Sequence, residues 1–257
     1  MSDVTAPLFG IETEYSISAF SPSGARLGAG EVLYELADRL NAANLHLPGS
    51  QEAGVFLAQG SRFLIDFGNH PELATPECGN PWDVVRYARA GDRIVARAAA
   101  EVVARSDCIG GIFLTRSNVG YDGGTTCGAH ESYLHRVDAC RLAEQLIPHL
   151  VSRLVYTGAG GFDNLSSGVN FLLSPRVPHL RRATSANSTD DRGIFHTKNE
   201  PLCTGGYGRL HVLCGESNCS ETSAWLKVGT TALVVALIDA GGSPASGLDL
   251  GSPVAAM

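Results

Sequence analysis

Alternating apolar and polar positions open the chain. Residues 8–20, LFGIETEYSISAF, follow the two-residue repeat of a half-buried strand. The pattern turns helical over residues 30–43, where Val32, Leu33, Leu36 and Leu40 share a face. Residues 55–67, VFLAQGSRFLIDF, predict a hairpin broken at Gln59-Gly60-Ser61. The proline-rich HPELATPEC that follows predicts an irregular segment. The clearest amphipathic helix covers residues 81–105, with Pro81 in the first turn, where a missing N–H costs nothing. Strands are expected at 109–114 and 132–137, separated by a glycine-rich turn. Asp138 is placed to cap a helix reaching about Leu154. Residues 169–174 and 209–214 read as further strands. Ser220 or Asn218 caps a last helix over 221–240, which stops at Gly241-Gly242. Residues 182–193 are polar and predict a mobile loop. Runs of strands with long helices between them predict an α+β domain with a mostly antiparallel sheet over residues 1–241, followed by a linker at 242–257.

Charge narrows the partners. The formal net charge of −7 argues against a broad nucleic-acid or anionic-membrane surface, and Lys198 and Lys227 are the chain's two lysines. The most apolar stretch, 232–238, is too short to span a bilayer, so no membrane partner is expected. Seven cysteines, an odd number with no CxxC pair, predict reduced thiols in a cytoplasmic protein. The first nine residues lack the charged and apolar regions of a signal peptide.

Candidate chemistry begins at Glu12-Thr13-Glu14, whose two carboxylates point to one side of a strand. Facing inward they need a cation, and Mg²⁺ bound to phosphates is the natural one; on an exposed edge strand they need nothing. Arg62, Leu64 and Asp66 share a strand face, which suggests a phosphate contact beside a general base, although taken alone a plain Arg62–Asp66 ion pair is the stronger reading. Glu72 adds a third carboxylate. Arg209 and His211 share another face and could meet a nucleotide phosphate and a metal. Arg176, Arg192 and Lys198 supply further cations. There is no GxxxxGK[ST] loop and no GxSxG elbow, so neither a P-loop NTPase nor a serine hydrolase is favoured.

Together these segments resemble one family. GIETEY at 10–15, SRFLIDFGNHPELATPEC at 61–78, CGAHESYL at 127–134 and RLHVLCGESNCSETSAWLKVGTTALVVALI at 209–238 are similar, in order, to blocks of the Pup ligase and depupylase family. The resemblance implies a glutamine-synthetase-like fold in which a curved antiparallel sheet cradles ATP and Mg²⁺. In the ligases, ATP phosphorylates the γ-carboxylate of the C-terminal Glu of the protein modifier Pup, and a substrate lysine attacks the acyl phosphate. Depupylases hydrolyse the isopeptide bond or a C-terminal Gln amide at a related site. By position, the resemblance makes Asp66 the catalytic aspartate. It makes Glu12, Glu14, Glu72, His130 and His211 the metal surroundings, and Arg62, Thr75, Arg176, Lys198 and Arg209 the nucleotide- or Pup-facing residues.

The chain also departs from the family. Leu64 stands where a tyrosine near the metal is usual, and Lys198-Asn199-Glu200-Pro201 replaces an arginine-aspartate-glutamate-proline run, losing bidentate geometry. The chain stops at Met257, short of a nucleotide-contacting tryptophan and a small C-terminal domain that the family carries. The Asp66-to-His70 spacing and the short 41–54 connection favour the ligase side. A depupylase or an inactive ATP- or Pup-binding relative is the alternative. A glutamate–cysteine ligase is disfavoured by the RLHV…SNCSET block.

Overall fold

The computed structural model describes residues 7–42, 54–66, 68–121, 125–186, 191–197, 203 and 205–257. In chain order the elements are β1 (Phe9–Glu14), β2 (Ser16–Phe20), β3 (Arg26–Leu27), α1 (Ala29–Ala42), β4 (Val55–Phe56), β5 (Arg62–Ile65) and β6 (Pro71–Ala74). Then come α2 (Pro81–Arg105), β7 (Gly111–Thr115), β8 (Ala129–His135), α3 (Ala139–Ser152), α4 (Leu154–Thr157), β9 (Gly161–Phe162) and β10 (Phe171–Leu172). The last are β11 (Arg182–Ser185), β12 (Gly193–Thr197), β13 (Gly208–Val212) and α5 (Glu221–Asp239). The architecture is α+β and mostly antiparallel, with β11–β12 a parallel pair. The chain divides into two units: Met1–Ile11 with Glu77–Val85 and Asn118–Met257, and Glu12–Pro76 with Arg86–Ser117.

In the second unit the opening run is two strands rather than one. Residues 12–14 pair with β6, whereas β2 pairs with β3 and β7. The switch falls at Tyr15, which is buried; its N–H donates to Pro71 O at 2.8 Å and its hydroxyl to Asp92 Oδ1 at 2.8 Å. Alternation runs unbroken through a buried hinge, so the pattern hides it. The segment expected to be irregular contains β6, which pairs with β1 on one side and β5 on the other. Its prolines bracket the strand: Pro71 is the first residue, the position where a strand tolerates a missing N–H, and Pro76 lies beyond the end.

The far face of this small sheet is the core. Phe63 and Leu73 pack with Leu36 and Leu40 from α1 and with Val95, Ala98 and Ala99 from α2. Burying each large side chain contributes roughly 1.5–3 kcal/mol. Gly91 lets α2 close onto Leu73, since a Cβ there would lie 2.5 Å from Leu73 Cδ2.

In the first unit β8 pairs with β13, β13 with β12 and β12 with β11. The region read as a loop therefore contains strand β11, while residues 187–190 lie outside the described set. Polar residues on both faces leave β11 no apolar alternation. Gly193 makes its close pairing with β12 possible, because a Cβ there would meet Ser185 N at 2.7 Å. Helices α3 and α5 cover the sheet face that carries Tyr133, Phe195, Leu210 and Val212. Asp138 caps α3 by accepting from Cys140 N at 2.9 Å, and Ser220 caps α5 by accepting from Ser223 N at 3.3 Å. By length and composition α5 could cross a membrane, yet core helices pass the same test. Here its inner face holds buried Lys227, Val228, Thr231 and Val235. Residues after α5 are tied back to α3: Arg141 Nη2 donates to Gly242 O at 2.8 Å, and Ala245 N donates to Gln145 Oε1 at 3.0 Å.

Under that helical layer lies a charged cluster with almost no solvent. Arg153 donates to both carboxylate oxygens of Glu131, at 2.8 and 2.7 Å, and Tyr133 donates to the same carboxylate at 2.6 Å. Lys227 donates to Glu216 O at 2.5 Å. Burial pushes Lys227 down to about 8, against the pull of Glu131. Burial would raise Glu131, but Arg153 and then Lys227 hold its carboxyl below the ordinary value.

His149 sits at the border of this cluster, 3.0 Å from Thr231 Oγ1. Burial, and then the Arg153 charge, push it down to about 4. Unfolding frees the ring to bind a proton near pH 6.5, so the unfolded chain is favoured as pH falls from 6.5 towards 4. Wild type is expected to lose roughly 2 kcal/mol more than His149→Gln between pH 7.5 and 4.5. Urea unfolding at both pH values checks this, and equal losses would show that the ring does not contribute.

Candidate functional site

Register assembles one acidic face in the second unit. Glu12 stands opposite Ala74, and Ala74 opposite Arg62; Glu14 stands opposite Glu72, and Glu72 opposite Leu64. Because alternate residues share a face, Glu12, Glu14, Glu72, Arg62 and Leu64 lie on the side away from Phe63 and Leu73. Asp66 follows directly after β5. One ligand oxygen each from Glu14, Asp66 and Glu72 lies within 4.8 Å of the others.

Such crowding is costly. Glu14 and Glu72 are buried, and burial, followed by the charges of Glu12, Glu14 and Asp66, holds the Glu72 carboxyl well above its ordinary range. Arg62 pulls it the other way. A hard divalent cation relieves this burden, and an all-oxygen donor set suits Mg²⁺. The residues therefore fit the metal that the sequence suggests. Leu64 occupies the next place in the Glu14–Glu72 row, so the departure from tyrosine falls beside these carboxylates and removes an oxygen donor from the row.

Asp66 is fixed by the turn that follows it. His70 N donates to Asp66 Oδ1 at 2.6 Å, and His70 Nδ1 lies 3.1 Å from Oδ2. Asn69 takes the left-handed conformation, φ 59°, to close the turn. Gly68 keeps the pair together, because a Cβ there would sit 2.7 Å from the His70 ring. Sequence reasoning recorded the spacing to His70 but assigned that ring no role. Arg62 lies 5.7 Å from the centre of the Phe56 ring, and Thr75 follows β6 directly.

The first unit presents a basic and histidine-rich face. His211 stands opposite Ser132 on one side and His196 on the other. His211 Nδ1 is 3.0 Å from His196 Nε2, and the His130 and His211 rings meet edge-on with centroids 5.3 Å apart. Arg209, two residues from His211, donates from Nε and Nη2 to Ser132 Oγ at 3.0 and 2.9 Å. Arg176 is fully buried; Nη2 donates to Leu213 O at 3.0 Å and lies 3.4 Å from His130 Nε2. A guanidinium cannot accept, so His130 Nε2 is the acceptor and Nδ1 is the nitrogen left for other partners. Arg176 Nε and Nη1 have no hydrogen-bond partner among the described residues, which leaves buried donors available to an anion. Gly128 permits this cluster, since a Cβ would come within 2.6 Å of His130 Nε2.

The structure thus groups Glu12, Glu14, Arg62, Asp66, Glu72 and Thr75 in one unit, and His130, Arg176, Arg209 and His211 in the other. Lys198 lies outside the described residues. His196 was not anticipated. Its strand shares only Gly193 with the loop expected over 182–193, residues 194–197 having been assigned no element, and the apolar Ile194-Phe195 beside it was the signal for a buried position.

Against known proteins, a family model described as Pup-ligase protein matches residues 7–257. The Pup–protein ligase of Sanguibacter keddieii is 38% identical over 244 residues, 92% of this chain and 52% of that protein. The Pup–protein ligase of Paenarthrobacter aurescens is 39% identical over 240 residues, 91% of this chain and 51% of that protein. The chain spans about half the length of these relatives. A crystal structure of the prokaryotic ubiquitin-like protein Pup with its ligase PafA superposes with a TM-score of 0.81 at 30% identity, covering 98% of this chain and 50% of that one. A structure of PafA in complex with ADP gives a TM-score of 0.67 at 34% identity, over 81% of this chain and 46% of that one.

Proposed function

The chain belongs to the Pup-ligase protein family, and on that premise we propose that it carries the metal and nucleotide residues of an ATP- and Mg²⁺-dependent ligase. That ligase joins the C-terminal Glu side chain of Pup to lysines of substrate proteins in the cytoplasm. Residues 1–241 are the N-terminal part of its glutamine-synthetase-like catalytic domain, and 242–257 lead into the remainder. The observation that carries the reading is the Glu14–Asp66–Glu72 cluster, in which Glu14 and Glu72 are buried and whose mutual repulsion calls for a cation. The solved PafA complexes with ADP and with Pup, which share this fold, support the two ligands.

ATP, when bound, supplies the phosphoryl group that turns an unreactive carboxylate into an acyl donor. The residues do the rest. Glu14 and Glu72, with Glu12 beside them, hold Mg²⁺. Arg62 and Thr75 contact the nucleotide, while Arg176, Arg209 and Lys198 supply positive charge for phosphate or for the Pup carboxylate. His130 and His211 complete the metal and nucleotide surroundings. Asp66 accepts the proton of the incoming lysine, and its bonds from His70 N and the His70 ring keep the carboxylate in one orientation for that task.

Calorimetric titration with ATP in Mg²⁺ tests the assignment. Wild type is expected to bind, and Glu14→Gln/Glu72→Gln to bind more than about 10-fold more weakly with a metal-free melting temperature no lower than wild type, since the substitutions relieve the repulsion. Equal binding by both, or binding that ignores Mg²⁺, would remove the carboxylates from the site.

A further inference from the structure

Glu216 is a buried carboxylate outside the metal and nucleotide residues. It follows Gly215, where the chain runs so close to β8 that a Cβ would lie 2.1 Å from Ala129 O. The segment around it is fastened from three sides. Lys227 Nζ donates to Glu216 O at 2.5 Å, Asn118 Oδ1 accepts from Ser217 N at 2.7 Å, and Asn218 Nδ2 donates to Thr157 O at 2.8 Å. The Glu216 side chain therefore projects from a fixed post.

What it holds is the turn that carries Arg176. Oε1 accepts from Ser174 Oγ at 2.7 Å and from Arg176 N at 3.4 Å, while Oε2 accepts from Ala159 N at 2.7 Å. On its other side the Arg176 backbone is fixed by His179 N, which donates to Arg176 O at 3.0 Å. All three donors to the carboxylate are uncharged. A buried charge met only by neutral donors is costly, so something must require it. Two features do. Both oxygens accept, whereas a glutamine would turn an NH₂ group toward one of the donors. The buried guanidinium of Arg176 also needs negative charge in its surroundings that leaves its own donors open. Glu216 bonds the Arg176 backbone N–H, and Nε and Nη1 of the guanidinium have no partner among the described residues.

We propose that Glu216 is a positioning residue: it fixes the Ser174–Arg176 turn so that Arg176 presents its open donors to an anionic oxygen of a phosphate or a carboxylate. The inference rests on the role given to Arg176 under the proposed function and adds the residue that sets its geometry.

A double-mutant cycle tests it, with separate calorimetric titrations of ATP in Mg²⁺ and of Pup ending in Glu. Glu216→Gln is expected to weaken binding of the anion that Arg176 receives by about 10-fold, since a misplacement of an ångström suffices for such a loss. Losing a negative charge near the arginine would by itself tighten anion binding, so weakening identifies lost placement. In the Arg176→Lys background the same substitution should change affinity by less than about 2-fold. Ser174→Ala removes one donor, leaves the carboxylate in place, and should give a smaller loss in the same direction. Equal losses in both backgrounds, or no loss for either ligand, overturn the proposal. A second readout needs no ligand. In the chain labelled with ¹⁵N-arginine, the Arg176 Nε–H resonance is identified by its absence from Arg176→Lys. Glu216→Gln should speed its exchange with solvent by at least about 10-fold. An unchanged resonance overturns the positioning role whatever the ligands do. A changed resonance in a chain that binds neither ligand would sink the ligase reading and uphold the placement of Arg176 by Glu216.

Discussion

Asp66→Asn is expected to slow formation of the Pup–lysine bond by about 10²–10⁴-fold while leaving Mg²⁺·ATP binding within about 2-fold of wild type. The amide keeps the shape of the carboxylate. Its oxygen can still accept from His70 N, so the turn closed by Gly68 and Asn69 survives. What disappears is the basicity needed to take a proton from an incoming ammonium group. The loss should therefore appear in turnover at saturating ATP and Pup, with little change in nucleotide affinity. A single-turnover assay with a lysine-bearing acceptor measures it. An unchanged rate would exclude Asp66 as the base. A rate lost together with nucleotide binding would make Asp66 chiefly a metal ligand, which its place beside Glu14 and Glu72 allows.

Arg153→Met is expected to cost about 3–5 kcal/mol of stability, a fall in melting temperature of roughly 10–15 °C. Arg153 and Glu131 are both buried, and the arginine neutralises that carboxylate through two hydrogen bonds. Methionine fills similar space and leaves Glu131 with Tyr133 and the distant charge of Lys227. The diagnostic comparison is Glu131→Leu/Arg153→Met. Removing both charges abolishes the uncompensated carboxylate, so the pair should recover a large part of the loss. If the single variant costs under about 1 kcal/mol in urea unfolding, water reaches this cluster and the buried description fails.

Much of this architecture was legible because its signals are local. Helix α2 begins at Pro81 and ends at Arg105, matching its periodicity at both ends, and Asp138 and Ser220 cap the helices they were expected to cap. The acidic face was legible for a different reason. Period-two geometry puts Glu12 with Glu14, and Arg62 with Leu64, whatever the rest of the chain does. The union of β1, β6 and β5 was not legible. It depends on a strand whose bounding prolines resemble loop punctuation and on a hinge at Tyr15 that leaves no break in the hydrophobic pattern. Strand β11 was hidden by polar composition and the five-residue β12 by its shortness, and with β12 His196, whose partner His211 lies fifteen positions away on a neighbouring strand. The charge cluster around Glu131 also stayed hidden, since it draws on β8, the end of α3 and the inner face of α5.

Under the proposed ligase chemistry, whose acceptors are lysines, the burial of Lys227 has a consequence. Of the two ammonium groups that this chain's side chains could offer to an activated carboxylate, one is 2% exposed and spends a proton on the Glu216 carbonyl. A catalyst that generates acyl donors beside its own surface is exposed to self-modification in proportion to the nucleophiles it displays. Arginine, which supplies nearly all of this chain's positive charge, cannot form the amide. Under that proposal the protein can hold anions with cations that the ligase chemistry cannot consume.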